Sequence, residues 1–264
     1  MIKTIKRICV FLISVYLLLC GGLYVFQEYF IFQSTSLEDG YEFQFDAPFT
    51  EFDLENNGVR LNALHFKVEN PKGVILYYHG NLGDLSRWGN EIQSLLRYGY
   101  DIVIMDYRSY GKSRGEPSEL LMYEDADLFY KYAKEQFNED ELIVYGRSLG
   151  SAFAIAVASK NSPKQLILET PFYSLNSVIR ETLPFLPINK MLNYSLDSYQ
   201  YAPMVKCPTL VLLAKQDDVV AYGNGVKLTE GLKYNTNVAF EGATHNDLME
   251  FPLYWEVLTK FING

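Results

Sequence analysis

Ser148 is flanked by Gly146 and Gly150 in the run ELIVYGRSLGSAFAIAVASK, Glu141 to Lys160. A serine hydroxyl attacks an acyl carbon only when a neighbouring base takes its proton and a third group orients that base. Bases are few, because the chain has three histidines, His65, His79 and His245. His79 opens the segment HGNLG and His245 lies within GATHND, both soon after apolar runs, while Asp217 and Asp218 follow the apolar run TLVLL. A serine, a histidine and a carboxylate are the parts of an acyl transfer through a covalent intermediate. Other chemistries lack theirs. The histidines and cysteines have no zinc-like spacing. Gly111-Lys112-Ser113 ends like a phosphate-binding loop, but Asp106 stands where its first glycine is required, and no G-x-G-x-x-G occurs. Nucleotide, nicotinamide and flavin binding are therefore not expected.

The elements around Ser148 set its geometry. Leu142 to Tyr145 are aliphatic, β-branched and aromatic, as in a buried parallel strand, and Ala152 to Ser159 is a helical run of mostly small residues. Ser148 falls at the corner between them. A sharp corner brings the backbones at Gly146 and Gly150 close to their neighbours and leaves no room for a Cβ. The plainer alternative is a Gly-Ser loop in which Ser148 only caps the helix.

Gly146-Arg147-Ser148-Leu149-Gly150, a G-x-S-x-G at such a corner, resembles the nucleophile elbow of the α/β-hydrolase superfamily. The resemblance runs from about Tyr41 to the C-terminus. His79 to Gly83 is similar to the loop that supplies a second oxyanion donor, and Asp106 to Ser113, DYRSYGKS, is similar to a D-Y-R-G-Y-G-x-S loop. AKQDDVV, Ala214 to Val220, is similar to G-x-x-D followed by apolar residues, and Gly242 to Asp247 is similar to G-x-x-H-x-D/N. The fold this implies is α/β, a mostly parallel eight-stranded sheet with helices on both faces. The resemblance also implies Ser148 as nucleophile, His245 as base and Asp217 as the acid, with Asp218 the alternative, in the Ser, Asp, His order of the superfamily. The oxyanion donors would be the backbone N–H groups of Leu149 and Asn81, with Leu82 the alternative to Asn81. His79 would be structural, hydrogen-bonded within its loop. No cofactor and no metal is implied. The chain is most similar overall to membrane-anchored α/β hydrolases with an HGN loop, a set that includes lipid esterases and protein depalmitoylases and is often grouped with serine peptidases.

A length of 264 residues with 48% apolar content suits one α/β domain with an appendage. The formal net charge of −9 gives the chain no electrostatic attraction to nucleic acid or to an anionic membrane surface. Cys9 and Cys20 lie in the N-terminal apolar segment and Cys207 stands alone in the domain, so no intradomain disulfide is expected. Ile8 to Phe26 contains no charge and follows Lys3, Lys6 and Arg7. That length spans a bilayer. A cleaved signal peptide usually has a shorter apolar region and a small-residue cleavage site, and the bulky Leu19 before Cys20 disfavours a lipoprotein signal. The expectation is a cytoplasmic stub and uncleaved membrane anchor over residues 1–32, with the N-terminus cytoplasmic and the domain, 33–264, on the extracytoplasmic face. The link from Gln33 to Tyr41 spans at most about 30 Å, so the site stays near lipid.

Along the domain, strand-like runs fall at 42–45, 49–54 and 59–68, with a hairpin turn at Asn57-Gly58, and then at 73–78, 101–106, 142–145, 165–169, 209–213 and 237–241. Helical runs fall at Trp88 to Tyr98 and Pro117 to Phe137. Residues 170–207, aromatic and punctuated by proline, read as a small lid inserted over the site, with ordinary helix packing on the sheet as the alternative. The expected function is a serine hydrolase that cleaves carboxylic ester or thioester bonds near a membrane, in small-molecule or lipid acyl esters or acylated protein. Its rivals are an amidase or serine aminopeptidase-like peptidase, and a catalytically silent membrane-tethered binding protein on the same scaffold.

Overall fold

The structure, a computed structural model, describes residues 2–264. Ile2–Val25 is one continuous helix, α1, with no buried residue and with an 18-residue stretch whose mean hydropathy is 2.5. Its length and composition suffice to cross a membrane. A single helical turn, Gln27–Ile31, follows and already belongs to the packed part of the molecule. Ile31 and Phe32 are buried in the main core, and Gln33–Ser34 pairs in parallel with Leu82–Gly83 of the HGN loop. The Gln27 side chain accepts from the Asn193 amide at 2.7 Å, and the Tyr194 hydroxyl donates to Glu28 at 2.6 Å. A boundary between residues 32 and 33 falls inside this packed segment.

Eight strands form the central sheet: β1 Phe49–Asn56, β2 Val59–Phe66, β3 Val74–Tyr78, β4 Asp101–Met105, β5 Leu142–Arg147, β6 Gln165–Glu169, β7 Thr209–Ala214 and β8 Asn235–Phe240. Their spatial order is β8-β7-β6-β5-β3-β4-β2-β1. β2 pairs antiparallel with both β1 and β4, and every other pairing is parallel. In the β1–β2 hairpin, Asn57 and Gly58 have φ of 54° and 74°, the left-handed backbone that Asn-Gly adopts most readily.

Side chains alternate across the sheet, so Val74, Leu76 and Tyr78 face one core while Ile75 and Tyr77 face the other. The first core is covered by α3 (Glu119–Gln136) and α4 (Leu149–Lys160), the second by α2 (Leu85–Ile92) and the C-terminal α7 (Pro252–Asn263). Two further eight-residue helices, α5 (Leu175–Thr182) and α6 (Tyr222–Thr229), and a single turn, Ser198–Tyr201, lie along the rest of the chain. Every residue of α4 from Leu149 to Ala158 is buried, which explains why its sequence is apolar all round rather than striped.

Two expected elements differ. Glu42 to Phe45 is not a strand, because Phe45 packs on the sheet against Phe49 and Phe66, and Phe43 stacks on Phe45, without pairing their backbones. The helix expected from Trp88 begins earlier, since Asp84 caps it by accepting from the Ser86 amide at 2.7 Å. After Ile92 it tightens into a 3₁₀ turn, Gln93–Tyr98, which ends at Gly99.

Candidate functional site

Four of the candidate residues lie just beyond the C-terminal ends of parallel strands, Asn81 after β3, Ser148 after β5, Asp217 after β7 and His245 after β8, and Leu149 opens α4. Open α/β sheets place ligands at this edge. Ser148 has φ 49° and ψ −117°, a strained conformation for a residue with a Cβ. The strain turns β5 directly into α4 and is held in place by the Ser148 amide, which donates to the Glu169 carbonyl at 2.9 Å. The two glycines are required by contact. A Cβ on Gly146 would meet the Gly150 carbonyl oxygen at 2.6 Å, and one on Gly150 would meet the Tyr78 carbonyl oxygen at 1.9 Å.

His245 Nε2 lies 2.8 Å from Ser148 Oγ. On the other side of the ring, Nδ1 lies 2.8 and 3.0 Å from the two Asp217 carboxylate oxygens. With Nδ1–H donating to Asp217, the Nε2 lone pair points at the serine hydroxyl. Asp217 is itself oriented by the amides of Val219 and Val220, at 2.9 and 2.7 Å. Asp218 is exposed and takes no part. The His245 loop is shaped by Asp247, which accepts from the amide and hydroxyl of Thr244 at 2.7 and 2.8 Å. Ser148, Asp217 and His245 are thus brought together; His65 pairs with Asp101 in the sheet, 3.0 Å away.

Asn81 and Leu149 line the same cavity as Ser148, and among the described residues their backbone amides donate to no protein acceptor. Leu149 is the first residue of α4, where the helix dipole and free N–H groups favour negative charge. Gly80 brings the HGN loop against the elbow, since a Cβ there would sit 3.8 Å from that of Ser148. Two tyrosines of the DYRSYGKS segment brace this loop, Tyr107 donating to the His79 carbonyl at 2.7 Å and Tyr110 to the Asn81 carbonyl at 2.8 Å. Their role left no mark on the sequence beyond the motif. His79 Nδ1 contacts the Gly80 carbonyl at 2.6 Å and its Nε2 faces the fully buried Asp106 at 3.5 Å. Burial pushes the Asp106 carboxyl above the usual range, with the His79 partner opposing.

Arg147, within the elbow motif, was not singled out by its sequence, yet its guanidinium is buried under the site. It pairs with Glu91, lies 3.3 Å from Glu169 and donates to the Asn246 carbonyl at 3.3 Å, which ties the elbow to the His245 loop. Burial opposes its charge, but Glu169 and nearby phenols outweigh this and raise its pKa. Burial and the Glu169 charge drive the Tyr145 and Tyr254 phenols well above their ordinary range. Both hydroxyls contact Glu169, so no charge in this network is left alone.

A cavity of about 440 Å³ leads away from Ser148. Its walls come from Leu23 to Gln33, from the segment between Phe172 and Leu192, and from Val219 and Val220, and none of its lining residues is charged. Among the described residues no cluster of three or more His, Cys, Asp or Glu comes together to hold a metal.

The family model described as serine aminopeptidase, S33, matches residues 69–201, and the chain belongs to this family of the α/β-hydrolase superfamily. It is 30% identical over 200 residues to the α/β-hydrolase domain-containing protein aho-3 of Caenorhabditis elegans, covering 74% of this chain and 59% of that protein. It is 33% identical over 185 residues to the lysophosphatidylserine lipase ABHD12 of Danio rerio, covering 62% of this chain and 47% of the lipase. The chain thus spans about half the length of these two relatives. Among solved structures, the esterase Pf2001 of Pyrococcus furiosus superposes with a TM-score of 0.67 at 16% identity, covering 88% of this chain and 97% of the esterase. The fold is that of the α/β hydrolases.

Proposed function

We propose that the protein is a serine hydrolase of carboxylic esters or thioesters with an acyl group that fills the apolar cavity, acting at a membrane surface. The observation that carries this reading is His245 Nε2 at 2.8 Å from Ser148 Oγ, beside a cavity lined without a charge. In the first half-reaction His245 takes the Ser148 proton as Oγ bonds to the acyl carbon, and the amides of Leu149 and Asn81 receive the developing oxyanion. Asp217 stabilises the imidazolium. The proton then passes to the departing alcohol or thiol as its bond to the acyl carbon breaks. Water, deprotonated by the same histidine, releases the acid and restores Ser148. The family description raises an aminopeptidase as second reading. An aminopeptidase must hold an α-ammonium group, and no carboxylate lines this cavity to pair with it.

The same reading takes residues 1–32 as stub and anchor, with its last turn packed on the hydrolase domain, 33–264, and 170–207 as a lid. Lys3, Lys6 and Arg7 in the first turns of α1, before its apolar run, favour a cytoplasmic N-terminus and an extracytoplasmic domain. Labelling of the full chain in detergent micelles with a fluorophosphonate tests the nucleophile, and nitrophenyl esters and peptide arylamides test the bond. We expect Ser148→Ala to abolish both labelling and ester turnover. Faster turnover of arylamides than of any ester would replace this reading with the amidase, and no labelling of the parent would favour a silent scaffold.

A further inference from the structure

α1 has the composition of a membrane span, but the end nearest the domain does more than tether it. Leu23, followed by Gln27, Phe30 and Ile31 in the next turn, walls the cavity that reaches Ser148. The facing wall is the segment after α5, and the tip of that segment runs back along α1, where the Tyr16 hydroxyl donates to the Phe185 carbonyl at 2.9 Å. Tyr16 precedes Val25, the last residue of α1, by about 14 Å along the axis at the usual helical rise. Half the hydrocarbon thickness of a bilayer is about 15 Å.

The tip is composed for that depth. Leu183-Pro184-Phe185-Leu186-Pro187-Ile188 carries no charge, and Phe185 is 88% exposed. Across the base of the loop, Arg180 donates to the Asn189 side chain at 2.7 Å, a polar clasp where headgroups would begin. A bare phenylalanine beside a membrane span is unfavourable in water and favourable in acyl chains.

We propose that α1 is part of the substrate site: its end and the 183–188 loop lie together in one leaflet and form a doorway through which a long-chain acyl ester resident in the bilayer slides its chain to Ser148. This rests on the ester-hydrolase reading above. A chain entering from hydrocarbon keeps its apolar surface out of water along the whole route.

The test uses the full chain in phosphatidylcholine vesicles, with nitrophenyl butyrate and nitrophenyl palmitate as substrates and the ratio of their kcat/KM values as readout. Leu23→Trp fills the wall and lowers the palmitate-to-butyrate ratio roughly tenfold or more. Leu18→Trp, on the same helix at a residue 76% exposed and outside the cavity, keeps the parent's ratio. Equal ratios in the two variants would overturn the wall assignment. Absence of any Ser148-dependent ester turnover in the parent would instead overturn the ester reading and this inference with it. Phe185→Trp in vesicles with brominated acyl chains is expected to show quenching beyond that of Trp88 and Trp255 in the parent; unquenched emission would place the loop outside the leaflet.

Discussion

The loops around Ser148 and the cavity beside it meet at one hydroxyl, but opposite kinds of force hold them. The loops are fixed by directional contacts: Asp217 to two amides, Asp247 to Thr244, Tyr107 and Tyr110 to the HGN carbonyls, and Arg147 between Glu169 and Asn246. The cavity is walled mostly by apolar side chains from three stretches far apart in the chain, held chiefly by area and shape, with a few polar contacts such as Gln27 with Asn193 at the margin. Directional contacts fix angles, as proton transfer requires; apolar walls fix volume, as an acyl chain requires. The two halves should therefore fail differently, one in rate on every substrate and the other in the choice among substrates.

The largest effect expected is on the proposed triad. Asp217→Asn should lower kcat/KM by about 10⁴ on short and long esters alike, because the wrong tautomer of His245 then faces Ser148. A loss confined to long chains would break the distinction. Next, Arg147→Met should cost about 3–5 kcal/mol in urea unfolding, since it leaves the buried Glu169 carboxylate without its cation. An undiminished transition midpoint would remove this network from the forces holding the loops. Ile179→Trp, at the cavity wall, should shift the long-to-short ester ratio by roughly tenfold. The smallest effect lies away from both halves. Burial holds His65 below its ordinary pKa of 6.5, with Asp101 opposing in part. As pH falls below about 6.5 the unfolded chain takes up a proton that the fold resists, so stability is lost in that window. His65→Gln should flatten the melting temperature between pH 7.5 and 5.5; an unchanged slope would assign the acid sensitivity to other groups.

The strands of the sheet were legible because burial on both faces demands unbroken apolar runs, as in Leu142 to Tyr145 and Thr209 to Leu213. Ser148, Asp217 and His245 were named from short motifs because each sits in a backbone conformation that only certain neighbours allow: glycines at Gly146 and Gly150, and an aspartate two residues before the valines whose amides it accepts. Glu42 to Phe45 misled because packing on a sheet and pairing within it select the same aromatic residues. Arg147 and Glu169 give no signal in the sequence because a charge in a strand reads as exposed until its partners, such as Glu91 and Asn246 for Arg147, are known.

The sequence by itself determined the fold class, the family and the residues that the structure gathers at the edge of the sheet, since local backbone demands leave local signatures. Only the tertiary structure decided that Tyr16 meets Phe185 and that Leu23 and Ile31 face Ser148 across one cavity. Those contacts join residues more than a hundred positions apart, through apolar area and one hydrogen bond to a backbone carbonyl, and neither carries a pattern that a linear chain displays.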